Sequence, residues 1–286
     1  MVPFIALIGF GEAAQAFAAG ADWRARATGF DTKTGDGAMD AAFEGLGVRR
    51  AATAGEALAG AEHVLSLVTA DQALNAAEVY ARHLIPGALY CDMNSVAPDT
   101  KRAAAAAVEE AGGRYVDVAV MSPVHPARND APLLVSGPHA RTGAAALAAA
   151  GFTNVRVVDG GVGAASSIKM IRSVMIKGIE ALTAECMIAA FRVGVVDEVL
   201  LSLGSDWPAK TNYNLDRMLV HGARRAAEMD EVVKTLESLG VASPMAQGTM
   251  RRQRAAGALG GESPVGLMEK IYRLSLAEDA ETGMAV

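Results

Sequence analysis

Lys169, Arg172 and Ser173 are spaced so that on a helix an ammonium, a guanidinium and a hydroxyl leave one face together. Residues three and four apart are neighbours on a helix surface. A lysine so placed can pass a proton to or from a substrate oxygen if burial, or a cation such as Arg172, favours its neutral amine. In the ammonium form it polarises a carbonyl instead. Ser122 and Ser173 offer hydroxyls to a substrate hydroxyl or carboxylate, and Ser95 is a further candidate of this kind. Arg172 and Arg225 suit an anionic group, because a guanidinium grips a carboxylate through two parallel hydrogen bonds. By itself the 169–173 spacing fits a solvated helix end with surface basics equally well.

A second constellation changes that balance. Gly9-Phe10-Gly11-Glu12-Ala13-Ala14 follows a short apolar run over 3–8 and opens an alanine-rich helix. This is G-x-G-x-x-A between strand and helix, the context a dinucleotide fingerprint requires. Gly9 permits the tight turn, Gly11 admits a pyrophosphate to the backbone, and Ala14 lets helix and strand pack closely. The helix N-terminus then presents free N–H groups to the phosphates, with Phe10, Glu12 and Ala13 as cofactor-binding candidates beside the glycines. A strand over 25–30 ends at Asp31, where a carboxylate accepts from a ribose 2′-hydroxyl and repels a 2′-phosphate. NAD is therefore the expected cofactor. Lys33 nearby leaves NADP open, since a cation offsets that repulsion.

The elements that must hold these groups alternate. Strands are expected over 48–52, 63–68, 88–93, 115–120, 133–136 and 155–158. Helices are expected over 54–59, over 71–84 with Asp71 as its cap, over 98–111 with Pro98 near its start, and from His139 onward. Such alternation argues a parallel, doubly wound sheet. Ligands in such sheets sit beyond the carboxyl ends of the strands. That places Val68, Thr69, Asn94, Ser95 and Ser122 where a ligand would lie, with Asn94 able to bridge cofactor ribose and substrate.

In the stretch 160–194, about 30 residues after a glycine cluster read as one helix of roughly 45 Å at 1.5 Å per residue. A long hydrophobic side runs through Ile168, Ile171, Met175, Ile179, Leu182, Met187 and Ile188, and Val174, Ile176 and Phe191 widen it beyond one stripe. Beyond it no strand is expected, only helices over 199–203, 211–239, 244–259 and 264–275. The fold class is α/β: a Rossmann domain over 1–161, an interdomain helix over 162–194 and an all-α domain over 195–286, carrying substrate cleft and dimer contacts.

Composition bounds the rest. The chain has 286 residues, 51% hydrophobic and 20% charged, enough for a sizeable core. A net charge of −6 argues against nucleic acid as a partner. Cys91 and Cys186 sit in apolar runs, so neither a disulfide framework nor a CxxC metal site is expected. The five histidines, His125 and His221 among them, show no metal-ligand spacing. No secretory signal and no membrane span are expected, which points to the cytoplasm.

The order of motifs resembles the β-hydroxyacid dehydrogenase family, whose members include 3-hydroxyisobutyrate and 6-phosphogluconate dehydrogenases. The family's fingerprint corresponds to Gly9–Ala14. Its D-x-S-T-x-x-P stretch corresponds to Asp92-Met93-Asn94-Ser95-Val96-Ala97-Pro98. Its D-x-P-V-S-G-G loop reads Asp117-Val118-Ala119-Val120-Met121-Ser122-Pro123, with one residue inserted before the serine and both glycines missing. Its catalytic lysine corresponds to Lys169, while the asparagine four residues on is Ser173. The 221–229 stretch is similar to a branch with a helical C-terminal domain of unknown function, and Arg225 stands near a lysine of better-known members. The resemblance implies a hydride exchanged between NAD(P) and a small β-hydroxy acid or related carbonyl compound, with a substrate of anionic character and a homodimer built on the helical domains. An NADPH-dependent imine reductase and a non-catalytic nucleotide sensor are the alternatives.

Overall fold

The computed structural model describes residues 4–33 and 37–282. Eight strands follow in order: β1 (Ile5–Ile8), β2 (Ala27–Phe30), β3 (Arg49–Arg50), β4 (His63–Ser66), β5 (Leu89–Asp92), β6 (Arg114–Val120), β7 (Leu133–Ser136) and β8 (Val155–Val157). They form one sheet in the order β3-β2-β1-β4-β5-β6-β7-β8. All neighbours are parallel except β6 and β7. The order reverses between β1 and β4, so the carboxyl ends of these two strands form the crevice of a doubly wound sheet.

Helices α1 (Glu12–Ala19), α2 (Gly37–Leu46), α3 (Ala54–Leu58), α4 (Ala73–Tyr80), α5 (Pro98–Glu110) and α6 (Ala140–Ala149) accompany the sheet. All four residues of β1 are buried, as a strand covered on both faces requires. Its alternate side chains feed two cores. Ile5 and Leu7 join Phe17, Phe43 and Phe152, whereas Ala6 and Ile8 join Leu58, Tyr90 and Tyr115.

The chain then divides into two compact units, residues 1–170 and 171–286. The division falls inside α7 (Ala164–Arg192), a helix of 29 residues. The second unit continues with α8 (Val196–Leu203), α9 (Trp207–Ser238), α10 (Pro244–Ala258) and α11 (Leu267–Thr282). Its core joins Met187 and Ile188 of α7 to Leu200, Leu215, Met218 and Ile271. The α9 and α10 helices cross closely at Gly222, where an added Cβ would lie 2.5 Å from the Gln253 carbonyl.

Several expectations change. The sheet is not wholly parallel: β7 runs against β6 because the loop over 121–132 carries no crossover helix, only a short 3-10 turn at Arg128–Asp130. Helix α2 was not expected at all. The helix expected over 71–84 shrinks to Ala73–Tyr80 with 3-10 turns on either side, and Asp71 lies in the first of these rather than capping the helix. The strand over 48–52 is two residues long. Helices α8, α9 and α11 extend beyond their expected bounds. Pro3, at the start of the first expected strand, lies outside the described residues.

Candidate active site

The fingerprint turn is built as its glycines require. Gly9 has φ +86°, and a Cβ there would lie 2.6 Å from the Leu67 carbonyl, so β1 and the segment after β4 approach too closely for a side chain. The same contact brings Val68 beside Gly9, with Thr69 next in the chain. Gly11 is the N-cap of α1, and a Cβ built on it meets nothing within 4 Å. The first turn of α1 thus presents unpaired N–H groups to open space, the arrangement that attracts phosphate.

Asp31 closes β2 and turns toward this loop. Its Oδ2 accepts from the Phe10 N–H at 2.8 Å and its Oδ1 from the Lys33 N–H at 2.9 Å. A carboxylate keeps further lone pairs after two such bonds. Arg50, which sequence reasoning passed over, donates to the Lys33 carbonyl at 3.4 Å and is also paired with Asp40. A second cation therefore stands beside this edge of the fingerprint. The Phe10 ring stacks on Phe43 of α2 at 3.7 Å, which fixes the loop from below.

Asn94 follows β5 and is only 4% exposed. Its N–H donates to Asp92 Oδ1 at 2.9 Å and its Nδ2 to the Ser66 hydroxyl at 3.0 Å. Its Oδ1 is buried with no hydrogen-bond partner. A buried acceptor left so is costly by about 1–3 kcal/mol, so Asn94 is suited to receive a donor from a ligand. Ser95, half-buried, accepts from Lys169 Nζ at 2.5 Å. Two residues that are 74 positions apart in sequence are thereby brought into one site.

Ser122 stands in the loop after β6, where its hydroxyl donates to the Pro123 carbonyl at 3.1 Å. No described contact joins it to Lys169. In the helical unit, Arg172 is exposed. Ser173 is buried and accepts from Lys177 Nζ at 3.1 Å, and that ammonium also pairs with Glu228 at 3.0 Å. Arg225 departs from its expected role. It is 7% exposed and grips Glu180 with two nitrogens, its Nε at 2.8 Å, while Gln253 Nε2 donates to the same carboxylate at 2.9 Å. Its side edge, Nε and Nη2, is committed to Glu180 within the unit, so its charge is already paired.

Sequence reasoning also missed a set of charged groups under the site: Asp92, Asp117 and the fully buried Lys101. Asp117 lay in a quoted motif and Asp92 began another, so both were within reach. A lysine in an alanine-rich helix gave no signal. Tyr115 donates its hydroxyl to Asp92 Oδ2 at 2.6 Å, and burial first, then that carboxylate, raises its pKa well above the phenol range. Cys91 is likewise pushed up to about 12 by burial and then by Asp92, so it is an inert thiol.

Sheet order, glycine turn and acidic strand end together define a Rossmann-type dinucleotide-binding protein. Residues 5–170 match the NAD binding domain of 6-phosphogluconate dehydrogenase and residues 190–256 a domain of unknown function (DUF1932). The first match spans more than half of the chain, which belongs to that family: a β-hydroxyacid dehydrogenase-like chain with a helical C-terminal domain. A conserved hypothetical protein from Sinorhizobium meliloti 1021 is 38% identical, with 97% of each chain covered and a TM-score of 0.72. The 3-hydroxyisobutyrate dehydrogenase of Mycobacterium tuberculosis, solved with L-serine, is 18% identical, covering 96% of this chain and 99% of that one at a TM-score of 0.73. An imine reductase from Streptomyces aurantiacus is 21% identical, covering 95% and 99% at a TM-score of 0.54. The last two likenesses show the shared fold. Among the described residues no helix is long and apolar enough to cross a membrane.

Proposed function

We propose that the chain is an NAD(P)-dependent dehydrogenase or reductase acting on a small β-hydroxy acid or the matching carbonyl compound, with Lys169 as the group that moves the proton. The observation that carries the reading is the Lys169–Ser95 pair, set on the segment that also bears the unsatisfied Oδ1 of Asn94. The residues fit a nicotinamide dinucleotide. Gly11, Glu12 and Ala13 would receive its pyrophosphate, with Gly9 and Phe10 shaping the turn and the Phe10 N–H held by Asp31. Asp31 would take its adenosine ribose, and Val68, Thr69 and Asn94 its nicotinamide half. When bound, that cofactor accepts or supplies the hydride.

The chain's own part is proton transfer and orientation. Ser95 accepts one N–H of Lys169 and so fixes the direction of Nζ. In the oxidising direction the neutral amine takes the hydroxyl proton; in the reducing direction the ammonium returns it to the carbonyl oxygen. Ser122 in the first unit remains a proposed substrate contact, as does Arg172 in the second, whereas Ser173 and Arg225 are already engaged by Lys177 and Glu180. Asp31 favours NAD, while Lys33 and Arg50 supply the cations that NADP would need.

We also propose a homodimer. On α7, Ile171, Met175 and Leu182 are 50%, 64% and 51% exposed, large apolar side chains that the described residues leave half open. A helix apolar on so much of its surface is normally buried.

The test is a screen of hydroxy acids, polyols and aldehydes with each cofactor, read by the absorbance of the reduced nicotinamide. Turnover of a β-hydroxy acid or its carbonyl partner supports the proposal. Tight nucleotide binding without turnover across the panel would instead identify a nucleotide sensor.

A further inference from the structure

Three charged side chains lie inside the first unit, away from any solvent. Lys101 on α5 is 0% exposed; its ammonium donates to the Asp92 carbonyl at 2.6 Å and to Asp92 Oδ1 at 3.0 Å, and stands 3.5 Å from Asp117 Oδ1. Asp92 and Asp117 are register partners on the paired strands β5 and β6. Taking three charges out of water is expensive, and well-packed apolar side chains in place of such a set often stabilise a fold. The set therefore calls for a reason besides holding the sheet together.

Each carboxylate grips one arm of the candidate site. Asp92 accepts the Asn94 N–H and so shapes the segment that carries Asn94 and Ser95. Asp117 Oδ2 accepts from the Gly163 N–H at 3.0 Å, the Ser166 N–H at 3.2 Å and the Ser136 hydroxyl at 2.9 Å, and its Oδ1 from the Ser166 hydroxyl at 2.7 Å. Those N–H groups belong to the start of α7, where a helix has no internal partner for them. Ser166 is three residues before Lys169, on the same face. The circuit closes when Lys169 donates to Ser95.

We infer that Lys101 and Asp117 are positioning residues for Lys169: Lys101 holds the two carboxylates together, and Asp117 fixes the first turn of α7 so that Nζ meets Ser95. Burial keeps both from touching substrate, so they act through Lys169. The catalytic consequence rests on the function proposed above; the positioning itself does not.

The measurement is the pH profile of Lys169 acylation by an amine reagent, read site by site by mass spectrometry on the folded full chain, alongside kcat and KM. Asp117→Asn is nearly isosteric and keeps the Lys101–Asp92 pair. It should bind NAD(H) within about twofold of wild type, yet shift the midpoint of Lys169 acylation by about half a pH unit or more. Its kcat should fall about tenfold or more, with KM little changed. Lys101→Met combined with Asp117→Asn conserves the net charge of the set and should show the same shift. A Lys169 profile identical to wild type in folded Asp117→Asn overturns the inference. If that variant does not fold, Ser166→Ala, which removes only the hydroxyl bond to Asp117, decides the matter: a smaller shift supports the positioning role and an unchanged profile refutes it. Absence of turnover in wild type would count against the proposed function, while the acylation profiles would still judge the positioning role.

Discussion

Asp31 is the residue proposed to set the choice of cofactor, and two backbone N–H donors hold its carboxylate in place. In the proposed role its remaining lone pairs would accept from a ribose hydroxyl, and its charge would repel a 2′-phosphate. NAD(H) should therefore bind at least about tenfold more tightly than NADP(H), roughly 1.4 kcal/mol, and Asp31→Ser should narrow that gap in fluorescence titrations. A wild-type preference for NADP(H) would mean that Lys33 and Arg50 govern the edge. The two cysteines give a second check. Burial and Asp92 keep the Cys91 thiol protonated, whereas Cys186 is exposed. Alkylation of the folded chain at pH 8 should modify Cys186 alone, and modification of Cys91 at a similar rate would contradict the packing described. Gly9, Asp31, Asn94 and Lys169 could be singled out from sequence because each falls in a local motif, the glycine fingerprint with its acidic strand end or a stretch resembling the family's. The spacing of Lys169 alone assigns it no role. The pairing of Arg225 could not be read this way: its partner Glu180 lies 45 residues away, and only packing reveals that the guanidinium is already engaged. Lys101 was equally hidden, since nothing in an alanine-rich helix marks one lysine as buried.

Among the elements, the strands that hold the fingerprint were legible because each is a short apolar run ended by glycine or a polar residue. The reversal at β7 was not, because alternation alone does not say which connection lacks a helix. Helix α2 was missed although Met39 and Phe43, four apart and both buried, carry its signal; the glycines around them masked it. The crossing of α9 and α10 makes the sharpest prediction at this scale. A Cβ on Gly222 would meet backbone, so the two helices must separate to admit it. Gly222→Ala should cost about 2 kcal/mol, measured by urea unfolding followed by circular dichroism. Gly248→Ala on α10 is the control. An added Cβ there meets nothing within 4 Å, so alanine's helix propensity should make it neutral or mildly stabilising. Equal stability of Gly222→Ala and wild type would show that the crossing is looser than described.

For the whole molecule, the change from alternating strands and helices to helices alone gave the two-part plan, because hydrophobic periodicity shifts visibly along the chain. Oligomeric state was less legible: apolar α7 residues could have found cover within the second unit, and the structure leaves Ile171, Met175 and Leu182 outside its core. A two-fold dimer covering them should bury on the order of 2,000 Å² in total. Light scattering at micromolar concentration should then give twice the chain mass of 29.4 kDa. Met175→Glu should shift the mass toward the monomer. A wild-type mass of one chain, with full activity, would rule the dimer out.

Lys169 is proposed to move the proton during hydride transfer. The most direct test compares wild type with Lys169→Ala on the best substrate from the screen, with cofactor affinity measured separately. Cofactor binding should be nearly unchanged while kcat falls by about 10²-fold or more, the usual scale of general acid–base catalysis. A Lys169→Ala variant that keeps wild-type kcat would contradict that role.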